Sequence, residues 1–321
     1  MSKFNTPNKY TIRNEWDKPI LKTLAEQLGE KLVYFGLPSP DAEDITDWID
    51  YLSVVIAFQC RNYPYPSDPE QPRDEILKLF NYLNKLERES KIENFVVYDG
   101  YLEEVILRGD DNSPQLIKFN MDRFITLFNL DFCNNILSPI EYVDENGHPR
   151  KGYKFDAINK LIELQSCLKT GSSSFVFFLT IHCHYDGEEI RNFIENPPQS
   201  WMKNYISDCN KLKKLERKKR ILRLFVYDSF YSSFKEFSLS FSFLPVIFYS
   251  GINDVSLLHF CVLSDSQPKD PFNSDSKSVI KEAFITVNGS TFESVTPFLD
   301  EIEIDVNSIL QKVVKLIPQE R

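Results

Sequence analysis

Phe124-Ile-Thr-Leu-Phe-Asn-Leu-Asp131-Phe-Cys-Asn134 is an apolar run that breaks off among Asn129, Asp131 and Asn134. Runs rich in β-branched and aromatic residues and bounded by turn formers read as strands buried on both faces. This one is expected at the centre of a parallel sheet. Polar side chains placed where such a strand runs out lie at its carboxyl edge, where open α/β sheets bind ligands. Asp131 is therefore the first candidate site residue, with a capping role for Asp131 and Asn134 as the structural alternative.

Working towards the N-terminus, Phe95-Val-Val-Tyr-Asp99-Gly100, Ser53 to Phe58 ending at Gln59, and Lys31 to Gly36 read as three further strands. Helical spacing separates them. Ile76, Leu79, Phe80, Leu83 and Leu86 form one apolar face, and Ile45, Trp48, Ile49 and Leu52 form another, opened by Ser39 as N-cap and Pro40 at the first helical position. Leu102 to Leu107 forms a short helix. The four prolines between Tyr63 and Pro72 require an extended loop. Trp16, Ile20, Leu21, Leu24 and Leu28 recur at helical spacing up to Gly29, whereas residues 1 to 13 are polar and expected to be mobile.

Towards the C-terminus, Pro139 to Gly152 is a polar connection with a turn at Glu145-Asn-Gly147. A helix carrying Phe155, Ile158, Leu161, Ile162 and Leu164 follows, then the strand Phe175 to Ile181 and a helix over Gly187 to Asn196. Phe243 to Tyr249 and Leu257 to Leu263, joined by Ser250-Gly251-Ile-Asn-Asp254, predict an antiparallel hairpin. Residues 265 to 278 read as a loop, and Ile309, Val313 and Leu316 as a final helix. The expected fold class is α/β, a three-layer Rossmann-like, mostly parallel sheet with a terminal antiparallel hairpin. An N-terminal tail and helix (1–30) precede that domain (31–264), and an extension (265–321) follows it.

The formal charge of −10 argues against a surface that binds nucleic acid everywhere, so local patches decide. The six cysteines show no CxxC spacing and read as reduced, mostly buried thiols. No run approaches the roughly 18 apolar residues that span a bilayer. MSKFNTPNKY lacks the apolar core of a signal peptide. A cytoplasmic protein with no membrane partner is the expectation.

The element order and strand-end chemistry over residues 31 to 263 resemble the class I S-adenosylmethionine-dependent methyltransferase superfamily, whose seventh strand returns antiparallel beside the fifth. The resemblance implies S-adenosylmethionine as cofactor. Gly36 in the turn Gly36-Leu-Pro-Ser-Pro40 would lie against it, Gln59 would meet the ribose hydroxyls, and Asp99 the adenine amine. Asn129 and Asp131 would form the catalytic corner, with Phe132 stacking on the substrate. The turn has one glycine, Gln59 stands where the family carries an acid, and no Pro-Pro follows Asp131. Asp41, Glu43 and Asp44 in the next helix disfavour a pyrophosphate, while a zwitterionic cofactor is compatible.

His182-Cys183-His184 ends the fifth strand. His182 reads as a substrate contact rather than a metal ligand, because Asp186 alone follows as a third donor. A basic run spans Lys211 to Arg223, and on a helix Lys211, Lys214 and Lys218 form a positive face with Leu212 and Leu215 turned inward. Lys214, Arg217 and Lys218 are candidate phosphate contacts to a nucleic acid, and a solvated or partner-paired face is the alternative. Two functions follow. One is a divergent methyltransferase acting on nucleic acid or protein. The other is a non-catalytic binding or scaffold subunit of a bacterial defence or nucleic-acid-processing complex.

Overall fold

A computed structural model describes residues 5–39, 41–59, 72–132, 135–144, 147–168, 174–184, 186–264 and 283–294, together with 305 and 309. The Pro-rich stretch up to Gln71, the 265–278 loop, Cys60, Cys133, Asn134 and almost all of the final helix lie outside these residues.

The strands are β1 (Leu32–Gly36), β2 (Leu52–Gln59), β3 (Asn94–Asp99), β4 (Leu127–Asp131), β5 (Ile140–Val143), β6 (Pro149–Gly152), β7 (Val176–His182), β8 (Phe241–Phe243), β9 (Ile247–Ser250), β10 (Ser256–Ser264), β11 (Ile285–Asn288) and β12 (Thr291–Ser294). The helices are α1 (Pro7–Thr11), α2 (Lys18–Leu28), α3 (Glu43–Trp48), α4 (Pro72–Arg88), α5 (Leu102–Arg108), α6 (Lys154–Leu168), α7 (Glu188–Glu195), α8 (Ser200–Cys209) and α9 (Lys214–Glu236).

The main sheet runs β3-β2-β1-β4-β7-β10-β9-β11-β12, with β8 added on β10. Strands β3, β2, β1, β4 and β7 are mutually parallel, and β10 returns antiparallel between β7 and β9. This is the methyltransferase-like Rossmann arrangement expected from the order of elements. β4 is central, and Leu127, Phe128 and Leu130 are buried. Because successive side chains alternate, Phe128 and Leu130 join Phe177, Leu179 and Ile181 under α5, α6 and α9, whereas Leu127 joins Val176 and Phe178 under α2, α3 and α4. The result is three layers.

Four local expectations are revised. β4 covers only five residues of the quoted run. α3 begins at Glu43, after Ala42 in the left-handed region (φ 48°), so Ser39, whose carbonyl accepts the Ala42 N–H at 2.8 Å, is not its N-cap, and Pro40 lies outside the described residues. The connection 139–152 carries the small hairpin β5–β6. Residues 7 to 28 are continuously helical through a π-helical turn (Ile12–Asp17), so the segment before Trp16 is built into the fold. Of the described cysteines, Cys183, Cys209 and Cys261 are buried and Cys167 is exposed, all as free thiols. Among the described residues no helix is long and apolar enough to cross a membrane.

Candidate functional site

Sheet register carries the expected residues to one edge. Gln59 pairs with Asp99, Gly36 with Asn129, and Asp131 with Thr180. Each then has a particular surrounding.

At the end of β1, a Cβ on Gly36 would collide with the carbonyl oxygen of Asn129, which also accepts the Leu37 N–H at 3.0 Å. Glycine is needed here for strand-to-strand approach. The Asn129 amide donates to Asp44 Oδ2 at 2.7 Å, and the Tyr34 hydroxyl donates to the same oxygen at 2.6 Å. Burial raises the Asp44 carboxyl above its ordinary range, opposed by the hydrogen bond from Tyr34 and the charge of Arg13, and it raises the Tyr34 hydroxyl well above its own. Tyr34, Asp44 and Asn129 thus form a closed polar cluster.

At the end of β3, Asp99 is 2% exposed. Its N–H donates to Asp111 Oδ2 at 3.1 Å and its carbonyl accepts from the Asn112 N–H at 2.6 Å. Asp111 also accepts from Ser113 and Ile117, which holds this loop over the strand end. Phe119, from the same loop, packs on the rings of Phe35, Phe58 and Tyr98.

At the end of β4, Lys9 Nζ lies 2.5 Å from Asp131 Oδ2. α1 is fixed there because Asn8 donates to the Ser250 carbonyl at 2.8 Å and accepts the Gly289 N–H at 2.8 Å, while Thr11 donates to the Gly289 carbonyl at 2.7 Å. Phe132 is buried in the core with the Lys154 ammonium 5.8 Å from its ring, so it presents no stacking surface. Burial lowers the His182 imidazole below its usual range, with Asp131 pulling the other way and Lys9 adding to the depression. Burial also keeps the Tyr249 hydroxyl protonated.

Behind this edge, Thr180 Oγ1 is 2.9 Å from His259 Nδ1, and His259 Nε2 is 3.0 Å from Asp17 Oδ1, all three residues being buried. Sequence reasoning missed Lys9, Asp17, Tyr34 and His259, and read Asp44 only as an acid disfavouring a pyrophosphate, not as the partner of Tyr34 and Asn129. His259 and Thr180 did leave a signal, as polar residues inside strands buried on both faces, where buried polar groups require partners.

His182 meets Lys214 and Lys218 in an open pocket of about 470 Å3, lined also by Cys183, His184 and Ser256. Burial pushes the Cys183 thiol up to about 12, so it is no nucleophile. Arg217 is half-buried on the same helix and is not among the residues lining this pocket. The rest of the basic run departs from a solvated face. Lys219, Arg220 and Arg223 are buried, Glu216 pairs with Lys219 at 2.5 Å and Arg220 at 2.6 Å, and Leu215 is 41% exposed. Lys211 precedes the helix.

At the first strand ends, Gly36 lies against Asn129 of β4 and Asp99 is buried beneath the loop held by Asp111. No family model matches the sequence, and no curated protein matches it. The solved structures that match include an O-methyltransferase family protein from Burkholderia thailandensis, at 8% identity over 82% of this chain and 59% of that one, with a TM-score of 0.31. The chain thus spans less than two thirds of that protein's length.

Proposed function

We propose that this chain is a Rossmann-like binding subunit of the methyltransferase type, without transferase activity of its own, serving a nucleic-acid-processing or defence assembly. The observation that carries this reading is the Lys9 ammonium on Asp131. The carboxylate that would hold a substrate amine is already engaged by a cation of the same chain, fixed there by Asn8 and Thr11.

Calorimetric titration of the full chain with S-adenosylmethionine and S-adenosylhomocysteine tests it. The expected result is no binding heat for either. Micromolar binding that is lost in Asp99→Asn would overturn the reading and make the chain a divergent S-adenosylmethionine-dependent methyltransferase. That second reading is favoured by the register that sets Gln59 beside Asp99 at the cofactor edge. It requires the loop over Asp99 and the Lys9 side chain to move, so Lys9→Ala would then raise activity.

A further inference from the structure

We infer that the pocket at the carboxyl end of β7 is a phosphate site, built to take a terminal or backbone phosphoryl group of a nucleotide or nucleic acid. It is separate from the first three strand ends and stands or falls independently of cofactor binding there.

The chain builds this pocket from two directions. After β7 the His184 N–H bonds back to the His182 carbonyl at 2.7 Å, and the Cys183 N–H donates to the Ser256 carbonyl at 2.8 Å. That tight turn keeps both imidazoles at one strand end. From the other side α9 begins at Lys214, so Lys214 and Lys218, four residues apart, share one helix face. Both lysines line the pocket.

Charge is arranged to favour an anion. Among the described lining residues none is acidic. Glu216, in the first turn of α9, is held by Lys219 at 2.5 Å and Arg220 at 2.6 Å and does not line the pocket. Asp186 Oδ2 lies 3.6 Å from His184 Nδ1 at the rim of this site. Near neutral pH the lowered His182 offers a neutral ring N–H. Two ammonium groups with two imidazole donors match a tetrahedral oxyanion that needs several donors at once. At about 470 Å3 the space is in the range of small-ligand pockets, roughly 300–1,000 Å3, and admits an ester as well as free phosphate.

The test is fluorescence anisotropy of the full chain with a short labelled single strand bearing a 5′-phosphate, competed by inorganic phosphate and by adenosine 5′-monophosphate. Wild type is expected to bind saturably, and both small phosphates to compete. The pair Lys214→Gln/Lys218→Gln should weaken binding by about tenfold or more, with an unchanged melting temperature, and Lys211→Gln outside the pocket should bind like wild type. A slope of log affinity against log salt of about −1 to −2 assigns the site to a single phosphoryl group, and a steeper slope with competition retained assigns it to a strand that continues past the pocket. The inference is overturned if nothing binds saturably, if the double variant binds like wild type, or if the strand binds while neither small phosphate competes.

Discussion

The imidazole Nε2 of His259 lies 3.0 Å from Oδ1 of Asp17, and this buried pair joins β10 to the helical segment that begins the described chain. Its other nitrogen meets Thr180 on β7 at 2.9 Å. Replacing His259 with Phe leaves the Asp17 carboxylate buried without that partner, a mechanism that costs on the order of 3 kcal/mol. The expected outcome is a urea midpoint shifted by that amount, with faster amide exchange over residues 7–28. Thr180→Val should cost less, since it removes only the neutral hydroxyl. Normal exchange over 7–28 in His259→Phe would show that the segment is held without this pair, by its apolar face and the contacts of Asn8 and Thr11.

Lys9 and Asp131 are each partly exposed, 21% and 29%, so Lys9→Met should change stability by less than about 1 kcal/mol. Its effect should be read at His182 instead. Lys9 lowers the His182 imidazole while Asp131 raises it. The titration of His182 followed by NMR should therefore move up in Lys9→Met and down in Asp131→Asn. Identical titrations in all three proteins would place His182 out of electrical reach of the pair.

What local pattern could reveal was the scaffold. Uniformly apolar runs such as Phe175 to Ile181 identify central strands because both faces must be buried, and Gly29, at φ 66°, ends α2 as a left-handed stop. The site was less legible, for a physical reason. Asn8 is held by Ser250 and Gly289, partners more than two hundred residues away, so a polar stretch that looks like a tail is a strap. Tyr34, Asp44 and Asn129 meet only once β1, α3 and β4 are assembled. The chemistry of a strand end is visible in sequence, but whether its polar groups face a ligand or each other is a tertiary fact.

Glu189 gives a stability signature in pH. Burial, reinforced by Asp156, pushes its carboxyl from 4.5 up to about 7. A carboxyl raised on folding favours the protonated native state, so its contribution is complete below the unfolded value near 4.5 and is lost as pH rises through about 7. Glu189→Gln removes that dependence. Guanidinium midpoints measured from pH 4 to pH 8 should show the variant gaining on wild type across this window and holding a constant lead above it. Parallel curves would mean that Glu189 is solvated in the native protein.

The basic run divides into two populations with opposite consequences. Arg223 stacks its guanidinium 4.3 Å from the centre of the Phe284 ring and donates to the Tyr205 hydroxyl at 3.1 Å, while Lys219 sits 4.3 Å from the Phe248 ring. These cations pin β9 and the start of the β11 hairpin to α9, because α9 runs through the core with Ile221, Leu222, Leu224, Phe225 and Val226 all buried. Arg223→Lys keeps the charge but loses the planar stack and the fixed donor fork. It should cost about 1–2 kcal/mol and loosen residues 284–294 in hydrogen exchange. Lys214→Gln, two turns and more towards the helix start, should leave both measurements unchanged. Equal stability losses at the two positions would mean that there is no division between anchoring and ligand-facing cations.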